Sequence, residues 1–320
     1  MKFGVLQFFS WPGRRVPLPT VYERALDRIR IMDTSGYDAV WLAEHHFSTY
    51  SVCPSVHLMG MHAANLTRRL RIGTAVSLAA FYDPTRLAEE VAMLDVLSGG
   101  RVNWGAGRGF DRKEFEVFGV TQEDSYPRFR ENVEIVLRAW REDRFSYQGQ
   151  FHQYNDVEVL PKPLQKPHPP VWMASGSPKA IAWSASQGHA ILMDPHASHE
   201  ELAEKYRGYR RGLAEHGHRN DQDTPMARLV AIGKTDAEGR EIARAGAAWT
   251  VGSYAKGRRA QYADPVGRYV DQVIVHGSPA RVIDELQRLE EELPLHYLLA
   301  APLSHGSFLR LTDEVIPALA

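Results

Sequence analysis

Short apolar runs alternate along the chain with segments in which apolar residues recur every three to four positions. Runs at 2–9, 38–42, 70–78, 102–106, 171–174, 189–193, 227–232 and 296–299 are predicted as buried strands. Between them Val21, Ala25, Ile29 and Met32 share one helical face that Gly36 stops, with Thr20 and Glu23 as its capping box. A further helix is predicted over 54–66. Asp83 and Pro84 open the helix of Leu87, Val91 and Leu94. Gly99 and Gly100 close it by accepting a positive φ. Pro127 begins a helix to Arg141, with Phe129, Val133, Val136 and Trp140 inward. Ser177–Pro178, Ser198 with Glu201, Thr235 with Glu238 and Ser278–Pro279 each open another, and a last helix follows Ser307.

Eight strands, each followed by a helix, predict an α/β protein: a (β/α)8 TIM-type barrel forming a single domain over residues 1–320. Two insertions interrupt the alternation, one after strand 4 and one after strand 7. Residues 143–170 read as a hairpin around Gln148–Gly149, then a stiff connector carrying Pro161, Pro163, Pro167, Pro169 and Pro170. Residues 250–272, with Lys256, Arg258 and Arg259 and no clear period, read as a loop.

Composition narrows the class. The chain is 44% hydrophobic and 24% charged with a formal net charge of −1, so no overall field draws it to nucleic acid or an anionic membrane. Cys53 is the single cysteine, which excludes an internal disulfide and predicts a reducing, cytoplasmic setting. The apolar run at 5–9 is too short for a signal peptide, and no stretch approaches the ~20 apolar residues of a membrane span.

Ligands of such barrels bind where strands hand over to helices. Strand 2 ends at Glu44-His45-His46. Neighbouring strand residues face opposite ways, so at most one of the two histidines faces the mouth, which argues against a shared metal ion. That imidazole serves either as a proton carrier at neutral pH or as a satisfied packing group. Strand 4 ends in Gly105, Gly107 and Gly109 around Arg108, a bare backbone with one permanent cation. The spacing is GxGxG, with Phe110 where a dinucleotide fingerprint has its third glycine, so a Rossmann reading fails. Gly176-Ser177-Pro178 offers a helix N-terminus and a hydroxyl to an anion; Gly277-Ser278-Pro279 repeats the device, so either copy can be a plain cap. A helix terminus alone gives an anion ~0.3–1 kcal/mol, whereas a charge-assisted hydrogen bond gives ~1.5–3 kcal/mol. A phosphate site therefore needs an arginine too, which favours the copy beside Arg108.

The stretches DAVWLAEHHF, SGGRVNWGAGRGFDRKEFEVFG and LPKPLQKPHPPVWMASGSP together resemble the bacterial luciferase-like family of flavin-dependent monooxygenases, over nearly the whole chain. The resemblance implies a TIM-type barrel that takes reduced FMN from a separate NAD(P)H:flavin reductase and activates O2 as a C4a-peroxyflavin. It implies that His45 is the active-site histidine, preceded by Glu44. It implies that Ala75–Val76 is a pair joined by a non-proline cis peptide under the flavin ring, that Arg108 and Ser177 are phosphate ligands, and that 250–272 is a mobile active-site loop. Gly107 and Gly176 stand where the luciferase α subunit has a reactive cysteine and a glutamate, which implies a wider site and argues against light emission. Phe9, Trp11, Phe81 and Phe110 are candidate apolar walls, and apolar surface on the second and third helices points to a homodimer. The rival readings are an F420-dependent hydride-transfer enzyme on the same fold, a metal-dependent hydrolase using His45 and His46, and a flavin-binding protein without catalysis. The substrate lies in loop conformations that pattern does not reveal.

Overall fold

In a computed structural model, residues 1–219, 221–253, 262–293 and 295–319 are described. Strand and helix alternate. β1 (Lys2–Gln7) leads to α1 (Leu18–Thr34), and β2 (Ala39–Leu42) to α2 (Val56–Leu66). β3 (Arg71–Thr74) runs through the two-residue β4 (Ser77–Leu78) to α3 (Pro84–Ser98). β5 (Val102–Gly107) precedes the short α4 (Arg112–Phe118) and the long α5 (Gln122–Arg141). An antiparallel hairpin, β6 (Phe145–Gln148) and β7 (Gln153–Val157), follows. β8 (Val171–Ala174) then hands over to α6 (Pro178–Ser186), β9 (Ala190–Leu192) to α7 (His199–Glu215), and β10 (Met226–Ile232) to α8 (Asp236–Ser253). Then come α9 (Pro265–Arg268), which runs on into a π-helical turn (Tyr269–Val273), β11 (Val275–Gly277), α10 (Pro279–Glu292), β12 (Tyr297–Pro302), α11 (His305–Arg310), a second π-helical turn (Leu311–Val315) and α12 (Ile316–Leu319).

All strands outside the hairpin form one parallel sheet, ordered β11-β10-β12-β1-β2-β3-β5-β8-β9, with β4 on β5. The sheet is curled. Its β9 end meets β10 through an isolated parallel bridge, Met193 to Met226, and through Ala227 N–H donating to Met193 O at 3.1 Å.

Period-two alternation divides the core in two. On β2, Val40 and Leu42 join the layer between sheet and helices, while Ala39 and Trp41 point into the curl beside Trp172, Leu229 and Tyr297. Trp41 stands edge-on to Trp172 with ring centroids 5.2 Å apart and donates its indole N–H to the Tyr297 hydroxyl at 3.0 Å.

Several local expectations change. The capping box at Thr20 does not form; α1 starts at Leu18 behind Pro17, with no side-chain cap. The third strand is broken between Thr74 and Ser77 by a cis peptide at Ala75–Val76. α5 begins five residues before Pro127, because the Thr121 hydroxyl accepts the Asp124 N–H at 3.0 Å and supplies an earlier cap. The caps expected at Asp83, Ser177, Ser198 and Ser278 are all present, and Gly99 ends α3 at φ 73°.

Candidate active site

Four strand ends converge. The coil just after β2 carries Glu44 and the histidine pair past the strand's end, and the two rings turn different ways. His46 turns to Glu44, with Nε2 3.0 Å from Oε1. The other Glu44 oxygen accepts the Leu78 N–H at 3.3 Å and the Tyr82 hydroxyl at 3.1 Å, so this buried carboxylate ties β2 to the segment after the cis peptide. Burial, then the Glu44 charge, pushes the Tyr82 hydroxyl well above the usual phenol range. His45 stacks nearly parallel to Phe8 and stands edge-on to Tyr50 and Phe110. Its Nδ1 faces Glu114 Oε1 at 3.4 Å.

At the end of β3, Thr74 Oγ1 donates to Gly105 O at 2.7 Å and accepts the Gly105 N–H at 2.9 Å. This stitch delivers the Ala75–Val76 pair against β5. A Cβ at Gly107 would collide with Val76 Cγ2, so glycine there is what lets β5 lie flush against the cis pair.

β5 ends in Arg108. Its guanidinium lies 4.2 Å from the Tyr126 ring centroid and 5.4 Å from that of Phe115, and donates to Ser125 Oγ at 2.8 Å. Among the described residues it has no ion-pair partner. The Tyr126 hydroxyl reaches Ser177 Oγ at 3.2 Å, so one tyrosine spans the arginine and the α6 cap. Ser177 Oγ accepts the Ala180 N–H at 3.3 Å.

Glu44, His45, Ala75, Val76, Gly107, Arg108, Gly176 and Ser177 all line a single cavity of about 340 Å³. Of the expected apolar walls only Phe110 lies on it. Phe9 is turned into the core against Tyr22, and its neighbour Phe8 faces the cavity instead. Trp11 and Phe81 lie off this wall; Trp11 donates its indole N–H to Val16 O and Phe81 packs on Phe115 and Phe118.

A larger cavity of about 630 Å³ adjoins the first and shares Asp194, His196 and Lys205 with it. Burial alone would raise the Asp194 carboxyl. The Lys205 ammonium 3.3 Å away, His196 with its backbone N–H, and Arg228 outweigh that and hold it down at about 2. The residues Lys256, Arg258 and Arg259 of the expected mobile loop lie outside the described residues; the described flanks belong to α8 and α9.

The luciferase-like monooxygenase model matches residues 1–296. The chain belongs to that family. It is 31% identical over 211 residues to the oxygenase component of a flavin-dependent trigonelline monooxygenase from Acinetobacter baylyi, covering 65% of this chain and 58% of that protein. The matches span 55–68% of the length of the first three curated relatives. Many solved structures share the fold, two of them informative here. One is the oxygenating constituent of the Pseudomonas putida 3,6-diketocamphane monooxygenase in complex with FMN, with a TM-score of 0.83 at 18% identity over 99% of this chain and 98% of that one. The other is an F420-dependent secondary alcohol dehydrogenase, with a TM-score of 0.82 at 18% identity over 100% and 99%. No described helix is long and apolar enough to cross a membrane, and no group of three His, Cys, Asp or Glu able to hold a metal occurs among the described residues.

Pattern alone missed Ser125, Tyr126, Glu114, Asp194 and Lys205. The usable signal for the first two was Thr121 followed three residues on by Asp124, a capping pair that places them inside a helix.

Proposed function

We propose that this chain is the oxygenase component of a flavin-dependent monooxygenase, using reduced FMN and O2 to oxygenate a small organic substrate. The observation that carries the reading is Arg108: a guanidinium on a cavity wall, stacked on Tyr126 and held by Ser125, with no carboxylate paired to it among the described residues. A cation kept in this way beside a capped helix N-terminus fits a phosphate. In this reading Arg108 and Ser177 bind the flavin phosphate, with Tyr126 bracing both. Gly107 and Gly176 leave room for the cofactor, and Ala75–Val76 supports its ring. Glu44 acts at one remove, through its bonds to Leu78 and Tyr82.

Reduced flavin supplies the electrons that activate O2. The chain's own part is to orient it, exclude water with Phe8, Tyr50, Phe110 and Trp183, and exchange a proton at the His45 ring. A separate NAD(P)H:flavin reductase provides the reduced cofactor, which accords with the failed dinucleotide fingerprint after β5. We take the curled sheet to complete an eight-stranded barrel at the Met193–Met226 contact, in one domain, with β6–β7 and the segment around β11 as insertions. A cytoplasmic setting suits the single buried Cys53. A homodimer suits Leu58, Met93, Val96 and Leu97, which α2 and α3 expose.

Hydride transfer with F420 is the second reading, because an F420-dependent enzyme shares the fold. Titration with reduced FMN, FAD and F420, each followed by air, separates the two. Tight binding of reduced FMN, with bound cofactor reacting with air at a rate different from that of free reduced FMN, supports the monooxygenase. Binding of reduced F420 alone, with substrate turned over anaerobically, contradicts it.

A further inference from the structure

Two adjacent histidines leave β2 in different directions, and each meets its own carboxylate. His46 is met by Glu44. His45, on the cavity wall, is met by Glu114, whose Oε1 lies 3.4 Å from Nδ1 and also accepts the His46 backbone N–H at 2.9 Å. Glu114 comes from the first turn of α4, a seven-residue helix placed by the Asp111 cap. Its neighbour Phe115 packs under Arg108, so the same turn touches both ends of the candidate site. The carboxyl is 1% exposed, and its second oxygen has no hydrogen-bond partner among the described residues. A carboxylate desolvated this far, with one oxygen unsatisfied, costs stability. A structural tether for the His46 N–H could be made by a serine or asparagine at less cost.

We propose that Glu114 is the positioning residue for His45. Its carboxylate keeps the imidazole proton on Nδ1, and so makes Nε2 the nitrogen that accepts and returns protons at the cavity. This rests on the reading of His45 as the proton carrier given above. A neutral imidazole has one N–H, and the nitrogen that faces an acceptor-only group carries it. At 3.4 Å the contact is long for a hydrogen bond; contacts of this kind shorten when a catalytic site fills. Glu44 does not compete for the ring, since both its oxygens are engaged by His46, Leu78 and Tyr82.

The test is 15N NMR of the flavin-free full chain labelled at histidine, with His45 signals assigned by their loss in His45→Asn, alongside kcat and flavin Kd. The expected result is Nδ1–H at His45 in the unmodified chain and in Glu114→Gln, which keeps the accepting oxygen. In Glu114→Met the Nδ1–H preference disappears and kcat falls by about 10–1,000-fold, with flavin Kd changed less than about threefold. Should Glu114→Met fail to fold, the tautomer of the unmodified chain decides. A proton on Nε2 there, or a folded Glu114→Met variant with tautomer and kcat unchanged, overturns the proposal. Because the spectrum needs no cofactor, a chain that shows Nδ1–H yet binds no flavin refutes the cofactor reading and leaves this one standing.

Discussion

At the residue scale the proposed function gives the site two separate tasks. Arg108 and Ser177 sit at the ends of β5 and β8 and are joined by Tyr126; His45 sits at the end of β2, ringed by Phe8, Tyr50 and Phe110. Binding and proton transfer therefore ought to fail independently. His45→Ala is expected to lower kcat by about 100–10,000-fold, the range for a positioned proton carrier, with flavin Kd within about threefold. Stopped-flow turnover and equilibrium titration of the same preparation check this. A variant that turns over normally assigns His45 to packing. The strand-end residues were legible in the chain because bare backbone, a lone arginine and a capped serine stand out by type. Their partners were not. Glu114 lies in a helix too short to show a period, and reading Pro127 as a first helical residue left Ser125 and Tyr126 in a loop. Phe9 in place of Phe8 is a slip of one position, which in extended chain exchanges one face for the other.

At the scale of elements, long periodic segments were legible and short ones were not. α5, α7 and α10 carry full apolar stripes. β4 has two residues, too few for any pattern, and β11 directly precedes the Ser278 cap with Val275 as its one apolar side chain, whereas the equally short β9 sits within the longer apolar run 189–193. The hairpin was readable from its turn, but its anchor was not. The buried Glu131 carboxylate on α5 accepts the backbone N–H groups of Gln150, Phe151 and His152 at 2.9, 3.0 and 2.8 Å. No local sequence rule links positions about twenty residues apart. Glu131→Ala leaves three N–H groups without this acceptor, and each lost bond to a charged group is worth about 1.5–3 kcal/mol before water compensates. Faster amide exchange at 150–152, with the exchange of β5 and β8 unchanged, is the expected outcome. Unchanged protection at 150–152 contradicts the anchor.

At the scale of the whole molecule, the parallel curl follows from alternation of strand and helix, whereas the order of strands around it depends on contacts between distant segments. The same long-range burial sets the response to acid. Burial, reinforced by Arg141, pushes His189 down to about 4, and burial with Arg228 does the same to His199. Both lie below the value of about 6.5 expected in the unfolded chain. The unfolded state therefore binds more protons between these values. Stability is complete above about pH 6.5 and falls toward pH 4, by at most about 1.4 kcal/mol per pH unit per histidine. Asp194, held at about 2, extends the fall below the usual carboxylate range. Tm measured from pH 7 to 4 is expected to drop steadily, and less steeply in His189→Gln. A slope identical in that variant contradicts the assignment.

The proposed function stands or falls with Arg108 as the residue that holds the phosphate of a flavin. Its most direct test compares Kd for reduced FMN and reduced riboflavin, which differ by that phosphate, in the unmodified chain and in Arg108→Ala. FMN is expected to bind at least about tenfold more tightly than riboflavin, and Arg108→Ala to remove most of this preference, as the loss of about 1.5–3 kcal/mol requires. Equal FMN affinity in the two proteins would contradict it.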